Sequence, residues 1–143
     1  MLPEDDQAIR ALLVKMCEAW AMGNGSAYAA CFTEDSDYVT FNGIRLRGRR
    51  ENAELHDALF RGVLKGTRIA ATVESLASLS DDVALVHTLG TGRKKSRQTY
   101  VVVRREEGCS QYSAREDRSG DGECKSLHML RPVLGLHTIL FIR

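Results

Sequence analysis

Several chemistries are missing from this chain. Its four cysteines, Cys17, Cys31, Cys109 and Cys124, form no C-x-x-C pair and no zinc-ligand spacing, which removes the usual redox-pair and zinc-module readings. Cys124 and His128 are one spacing short of a metal site, and no carboxylate–histidine cluster accompanies them, so no metal is expected. No glycine-rich phosphate loop occurs, which leaves a nicotinamide cofactor without support, and no cofactor is expected. No Ser-His-Asp or Cys-His pair stands out by spacing. Internal repeats are absent. The most apolar stretch, 127–142, is about sixteen residues interrupted by Arg131 and Pro132, too short and broken to span a bilayer. The start, Met1-Leu2-Pro3-Glu4-Asp5-Asp6, is acidic where a secretory signal would be basic. With unpaired cysteines, this makes a reducing, cytoplasmic location the expectation.

What remains is an ordinary globular composition. The 143 residues are one domain's worth, and 43% hydrophobic with 27% charged residues excludes wholesale disorder. The net charge of +1 is unevenly spread. Residues 1–40 carry two basic and seven acidic groups, whereas 41–105 carry thirteen and six. The excess sits in Arg45-Leu46-Arg47-Gly48-Arg49-Arg50 and Arg93-Lys94-Lys95-Ser96-Arg97. Such clusters can bind nucleic acid by displacing counterions. Both fall at predicted turns, where solvated charge is the commoner reading, so a nucleic-acid partner is not favoured.

Periodicity divides the chain into helices followed by strands. Ile9, Leu12, Leu13, Met16, Cys17 and Trp20 form one apolar stripe, predicting a helix over about 4–22 that Gly23-Asn24-Gly25 ends. A shorter helix follows, with Ser26 as cap, running to about Phe32. Asp37 to Arg50 is the stretch around which the rest is organised: strand, tight turn at Asn42-Gly43, strand, and Gly48 opening a helix. That third helix spans about 49–65, with His56, Leu59, Phe60 and Val63 on one face and Gly66 ending it. From Arg68 the period becomes two. Ile69, Ala71 and Val73 lie in one strand, Val83 to Leu89 in the next, and Gln98 to Arg105 in a third, joined by turns at Ser80-Asp81-Asp82 and Gly92 to Lys95. Helices first and a meander afterwards predict an α+β domain, with helices on one face of a curved antiparallel sheet. Residues 109–126 lack periodicity; Cys109 to Arg115 suits a poor edge strand and Ser119 to Gly122 a flexible link.

Certain residues carry a family likeness. Ala19-Trp20, Cys31-Phe32-Thr33-Glu34-Asp35 leading to Asp37-Tyr38-Val39-Thr40-Phe41-Asn42-Gly43, Gly48-Arg49, His56 with Leu59-Phe60, and Gln98 to Arg104 together resemble the nuclear transport factor 2-like superfamily. In particular, they look like its SnoaL-like branch of polyketide cyclases and ketosteroid-isomerase relatives, and its SgcJ/EcaC-type subgroup. The likeness covers about residues 5–107 and implies a cone-shaped, cystatin-like domain over 1–108, usually a homodimer through the sheet. The family closes on a Trp-bearing last strand, whereas the only tryptophan here is Trp20. Residues 109–143 thus read as an atypical extension replacing that strand, either lineage-specific or the product of a shifted reading frame. Without the strand a sheet edge is left to be covered.

The resemblance also implies a cavity between helices and sheet, suited to a small apolar ligand. Trp20, Tyr38, His56, Phe60 and Tyr100 would line it, with Asp37 or Arg104 nearby. His56 is the candidate acid–base group, because an imidazole titrates near neutrality. Tyr38 or Tyr100 would serve as hydrogen-bond donor and Asp37 is a further catalytic candidate, but Asp37 and Tyr38 are neighbours on a strand and face opposite ways, so at most one of those two aims inward. Each assignment has a plainer reading: His56 and His87 as satisfied core histidines, Trp20 and Tyr100 as core aromatics, Arg104 as a rim arginine. The function implied is proton transfer (isomerisation, cyclisation or dehydration) on an oxygenated ligand. A non-catalytic binding or dimerisation module is the alternative, and the subgroup's oxidoreductase label rests on resemblance alone.

Overall fold

The computed structural model describes residues 3–40, 42–91, 95–106, 125–129 and 138–139, the last two segments by backbone only. Helix α1 is Pro3–Ala21, α2 Gly25–Ala30 and α3 Gly48–Arg61. Strands β1 (Asp37–Val39) and β2 (Arg45–Arg47) form a hairpin between α2 and α3. The main sheet contains β3 (Ala70–Ser80), β4 (Val83–Thr91), β5 (Lys95–Glu106) and β6 (Lys125–Met129), in that order and antiparallel. β7 (Thr138–Ile139) runs parallel to β5 at Gln98 and Thr99, while β6 pairs with β5 from Val102 to Glu106. The edge of β5 opposite β4 is therefore occupied by these two short segments. The architecture is the expected α+β one, and no helix among the described residues is long and apolar enough to cross a membrane.

Alternation decides which face of the sheet meets the helices. On β4, Ala84, Val86 and Thr88 are buried, and their β5 partners on the same face are Val102, Tyr100 and Gln98. Ile9, Leu13 and Met16 of α1 share one apolar core with Val86, Tyr100 and Val102. The opposite face carries Val83, Leu85, His87 and Leu89, all only half-buried. His87 lies on this outer face, its Nδ1 2.9 Å from Thr99 Oγ1.

The local boundaries differ from expectation in three places. α2 is capped by Asn24, whose side-chain oxygen accepts from the Ala27 N–H at 2.9 Å, rather than by Ser26. The β1–β2 connection is wider than a two-residue turn: Thr40 N–H donates to Ile44 O, and Gly43 takes φ +85° within that loop. α3 ends at Arg61 instead of near Lys65, so Val63 lies beyond the helix and is exposed. The buried stripe of α3 is Asn52, His56 and Phe60, spaced by four. Outside the described residues lie the basic turn 92–94, the proposed edge strand 109–115 and the link 119–122.

Candidate functional site

Gly48 sets the geometry of the site. Its φ is +75°, and a Cβ there would stand 2.8 Å from the Glu34 carbonyl oxygen, so both backbone conformation and space demand glycine. Its N–H donates to Ser36 O and the Arg49 N–H to Glu34 O, which ties the start of α3 to the chain entering β1. The Arg49 guanidinium donates to Phe32 O through Nε and Nη2, at 3.2 and 3.0 Å. Across α2, the Gly25 N–H donates to Asp57 Oδ1 at 2.8 Å. These ties fix the rotation of α3 so that Asn52, His56 and Phe60 face inward.

The side chain opposite His56 is Tyr38. The His56 Nδ1 lies 2.9 Å from Asn52 O; a carbonyl only accepts, so Nδ1 carries the proton. In the neutral ring Nε2 is then a bare acceptor, and the Tyr38 hydroxyl lies 3.4 Å from it. Tyr28 Oη lies 3.2 Å from Tyr38 Oη. With Tyr38 donating to His56, its oxygen is free to accept from Tyr28, giving a directed chain Tyr28→Tyr38→His56→Asn52 O. His56, Tyr38 and Tyr28 are 2%, 6% and 1% exposed, so the chain is shut off from bulk water.

The rings of Trp20 and Phe60 stand 5.8 and 5.9 Å from the His56 ring, and Phe32 packs 5.4 Å from Tyr38. The indole N–H of Trp20 is satisfied by Thr67 Oγ1 at 3.0 Å, and that hydroxyl by Leu64 O at 2.7 Å. Burial sets the protonation states. It lowers the pKa of His56, opposed by the Asn52 hydrogen bond and the charge of Asp57. It raises the pKa of Tyr28, Tyr38 and Tyr100. All four groups are therefore neutral near pH 7.

The structure thus brings together Trp20, Tyr38, His56 and Phe60. Tyr100 is buried in the same core beneath them, and its hydroxyl interacts with Thr88. Two candidates lie elsewhere. Asp37 follows strand alternation away from Tyr38, and its two oxygens accept from Arg45 Nε and Nη2, each at 2.8 Å. Arg104 pairs with Asp5 at the far end of the sheet, in a small cleft that also receives Asp81 and Asp82. The Arg104 guanidinium is thus already paired with a carboxylate.

Sequence reasoning missed Tyr28 and Asn52. Tyr28 sits in a six-residue helix too short to show a period. Asn52 falls on the stripe of His56 and Phe60 at spacing four, a signal available but overlooked because the residue is polar. Among the described residues, no group of three or more His, Cys, Asp or Glu side chains could hold a metal; Cys124 lies outside them.

No family model matches the chain, and no curated protein matches it. Solved structures do. A domain of unknown function with a cystatin-like fold from Nostoc punctiforme superposes at TM-score 0.73 and 26% identity, over 99% of this chain and 78% of that one. An NTF-2 like protein of unknown function from Shewanella oneidensis gives 0.60 at 16% identity, covering 99% and 98%. A protein from Novosphingobium aromaticivorans provisionally assigned as a scytalone dehydratase gives 0.61 at 14%, covering 97% and 83%. The chain has the cystatin-like, nuclear transport factor 2-like fold. The superfamily resemblance drawn from residues 5–107 holds at that level.

Proposed function

We propose that the chain is a SnoaL-like protein that binds a small, apolar, oxygenated molecule between helices and sheet and catalyses proton transfer on it. His56 is the acid–base group and Tyr38 its hydrogen-bond donor, with Tyr100 the second candidate donor; isomerisation, cyclisation and dehydration all fit that pair. The observation that carries this reading is the chain Tyr28→Tyr38→His56, which leaves one neutral imidazole inside an apolar enclosure with a defined tautomer. The likeness to the protein provisionally assigned as a scytalone dehydratase favours dehydration among the three. The SgcJ/EcaC-type subgroup, and an extension at 109–143 standing in for the family's last strand, belong to the same proposal, the latter supported by the pairing of β6 and β7 with β5. So do a second copy docking on the outer face of the sheet, where Leu85 and Leu89 are half-buried, and a cytoplasmic location, in keeping with free thiols at Cys17 and Cys31.

The experiment is a thermal-shift screen of neutral oxygenated aromatic compounds, followed by product analysis of those that bind. His56→Ala should abolish turnover of such a compound while leaving the fold intact. Equal turnover in that variant removes His56 from the mechanism. A non-catalytic binding or dimerisation module is favoured by one observation: the rings around His56 pack edge-on against one another as in an ordinary core, Trp20 on Phe60 at 5.1 Å and on Tyr28 at 5.4 Å. Binding without turnover across the screen would select it.

A further inference from the structure

One turn before His56, the side chain of Asn52 has no exposure at all, and neither Oδ1 nor Nδ2 has a protein partner among the described residues. Ser36, 3% exposed, likewise has no partner for its Oγ. Polar atoms this deeply covered are paired in nearly all native proteins, if not by protein then by water or a ligand.

The two residues are related by the backbone. The Ser36 carbonyl accepts the Gly48 N–H, and Asn52 stands four residues further along α3. Helix side chains lean toward the N-terminus, which tips the Asn52 amide back over the turn of Gly48, toward Ser36. In parallel, Tyr38, two residues after Ser36, reaches His56, four residues after Asn52. Ser36 and Asn52 thus stand one step back along the same two segments that the Tyr38–His56 hydrogen bond joins, and neither side chain has a partner of its own among the described residues.

We infer that Asn52 and Ser36 form a buried binding site for a neutral hydroxyl group, one step from His56. The amide supplies a donor and an acceptor, and the serine hydroxyl either, so the occupant must both give and accept hydrogen bonds. An O–H group does so with one oxygen. An ionised group would be brought into the same closed, apolar surroundings at large cost. The hydroxyl is that of a resident water or of the bound molecule, and these two sources are separable.

The test is proton NMR on the full chain with 15N label, reading the Asn52 side-chain amide. Magnetisation transfer from water to that amide, seen in the free protein and lost with the Asn52 signals in Asn52→Leu, is expected if water occupies the site. Phenol, with toluene as its hydroxyl-free match, supplies the second arm. Phenol that shifts the Asn52 amide saturably and binds at least about tenfold tighter than toluene, a preference abolished in Asn52→Leu, identifies a ligand hydroxyl as the occupant. No water transfer and no phenol response in the wild-type protein overturns the inference, whatever the variant's stability. The readout uses no turnover and leaves His56 in place, so its failure is distinguishable from failure of the proton-transfer reading.

Discussion

The Nε2 of His56 and the hydroxyl of Tyr38 face each other at 3.4 Å inside a cluster of four other aromatic rings, Trp20, Tyr28, Phe32 and Phe60, while the opposite ring nitrogen is pinned to Asn52 O at 2.9 Å. The imidazole is thereby held as one tautomer, in one orientation and without charge. Each consequence of that arrangement is measurable.

Replacing Tyr38 by Phe removes the donor to His56 and the acceptor of Tyr28 while keeping the ring. Two buried polar atoms are left unpaired, and unpairing of that kind costs about 1–3 kcal/mol. The urea midpoint of Tyr38→Phe should fall accordingly; an unchanged midpoint would show that the hydroxyl chain contributes nothing.

Stability should depend on pH through His56. Burial lowers its folded pKa below the ordinary 6.5, so between the two values the unfolded chain binds the proton and the native chain does not. The contribution is complete above the unfolded pKa and is lost as pH falls from there toward the folded one. Urea titrations should show wild-type stability declining across that window more steeply than in His56→Gln, which lacks the group. Parallel curves would refute the shift.

Trp20, the sole tryptophan, lies edge-on to the His56 ring at 5.8 Å and reports on it. Charging the imidazole should quench Trp20 emission, with a midpoint at the His56 pKa, and the step should vanish in His56→Gln. A step that survives in that variant arises elsewhere.

Asp37 and Tyr38 are adjacent but face opposite ways, and Asp37 is occupied by Arg45. Asp37→Ala should leave the His56 titration unaltered while loosening the β1–β2 hairpin. An altered His56 titration would place Asp37 in the site after all.

Gly48→Ala forces a Cβ to 2.8 Å from a carbonyl oxygen at positive φ. Strain of this kind costs about 1–3 kcal/mol, which a denaturant midpoint detects. No destabilisation would show that α3 is not anchored through this residue.

Much of this was legible in the sequence. Hydrophobic period separates helices from strands, and the glycine at 48 marks the start of α3. Alternation alone stated that Asp37 and Tyr38 could not both turn inward. What stayed hidden depends on tertiary contact. The pairing of Asp5 with Arg104 joins residues far apart in the sequence, and no local pattern announces it. Tyr28 has no period to reveal it, and a helical stripe carried past Arg61 puts Val63 on the apolar face although it lies beyond the helix and is exposed. Asn52 shows the limit most clearly: a search for apolar residues at helical spacing steps over a polar one, although here it lies among the most deeply buried side chains.

The central claim, a neutral His56 protonated on Nδ1 with Nε2 receiving the Tyr38 hydroxyl, is tested most directly by 15N NMR of the imidazole as pH is varied. The arrangement requires a protonated Nδ1 and a bare Nε2 at neutral pH, with titration below 6.5 that shifts on Tyr38→Phe. A proton on Nε2, or titration at or above that value, would contradict it.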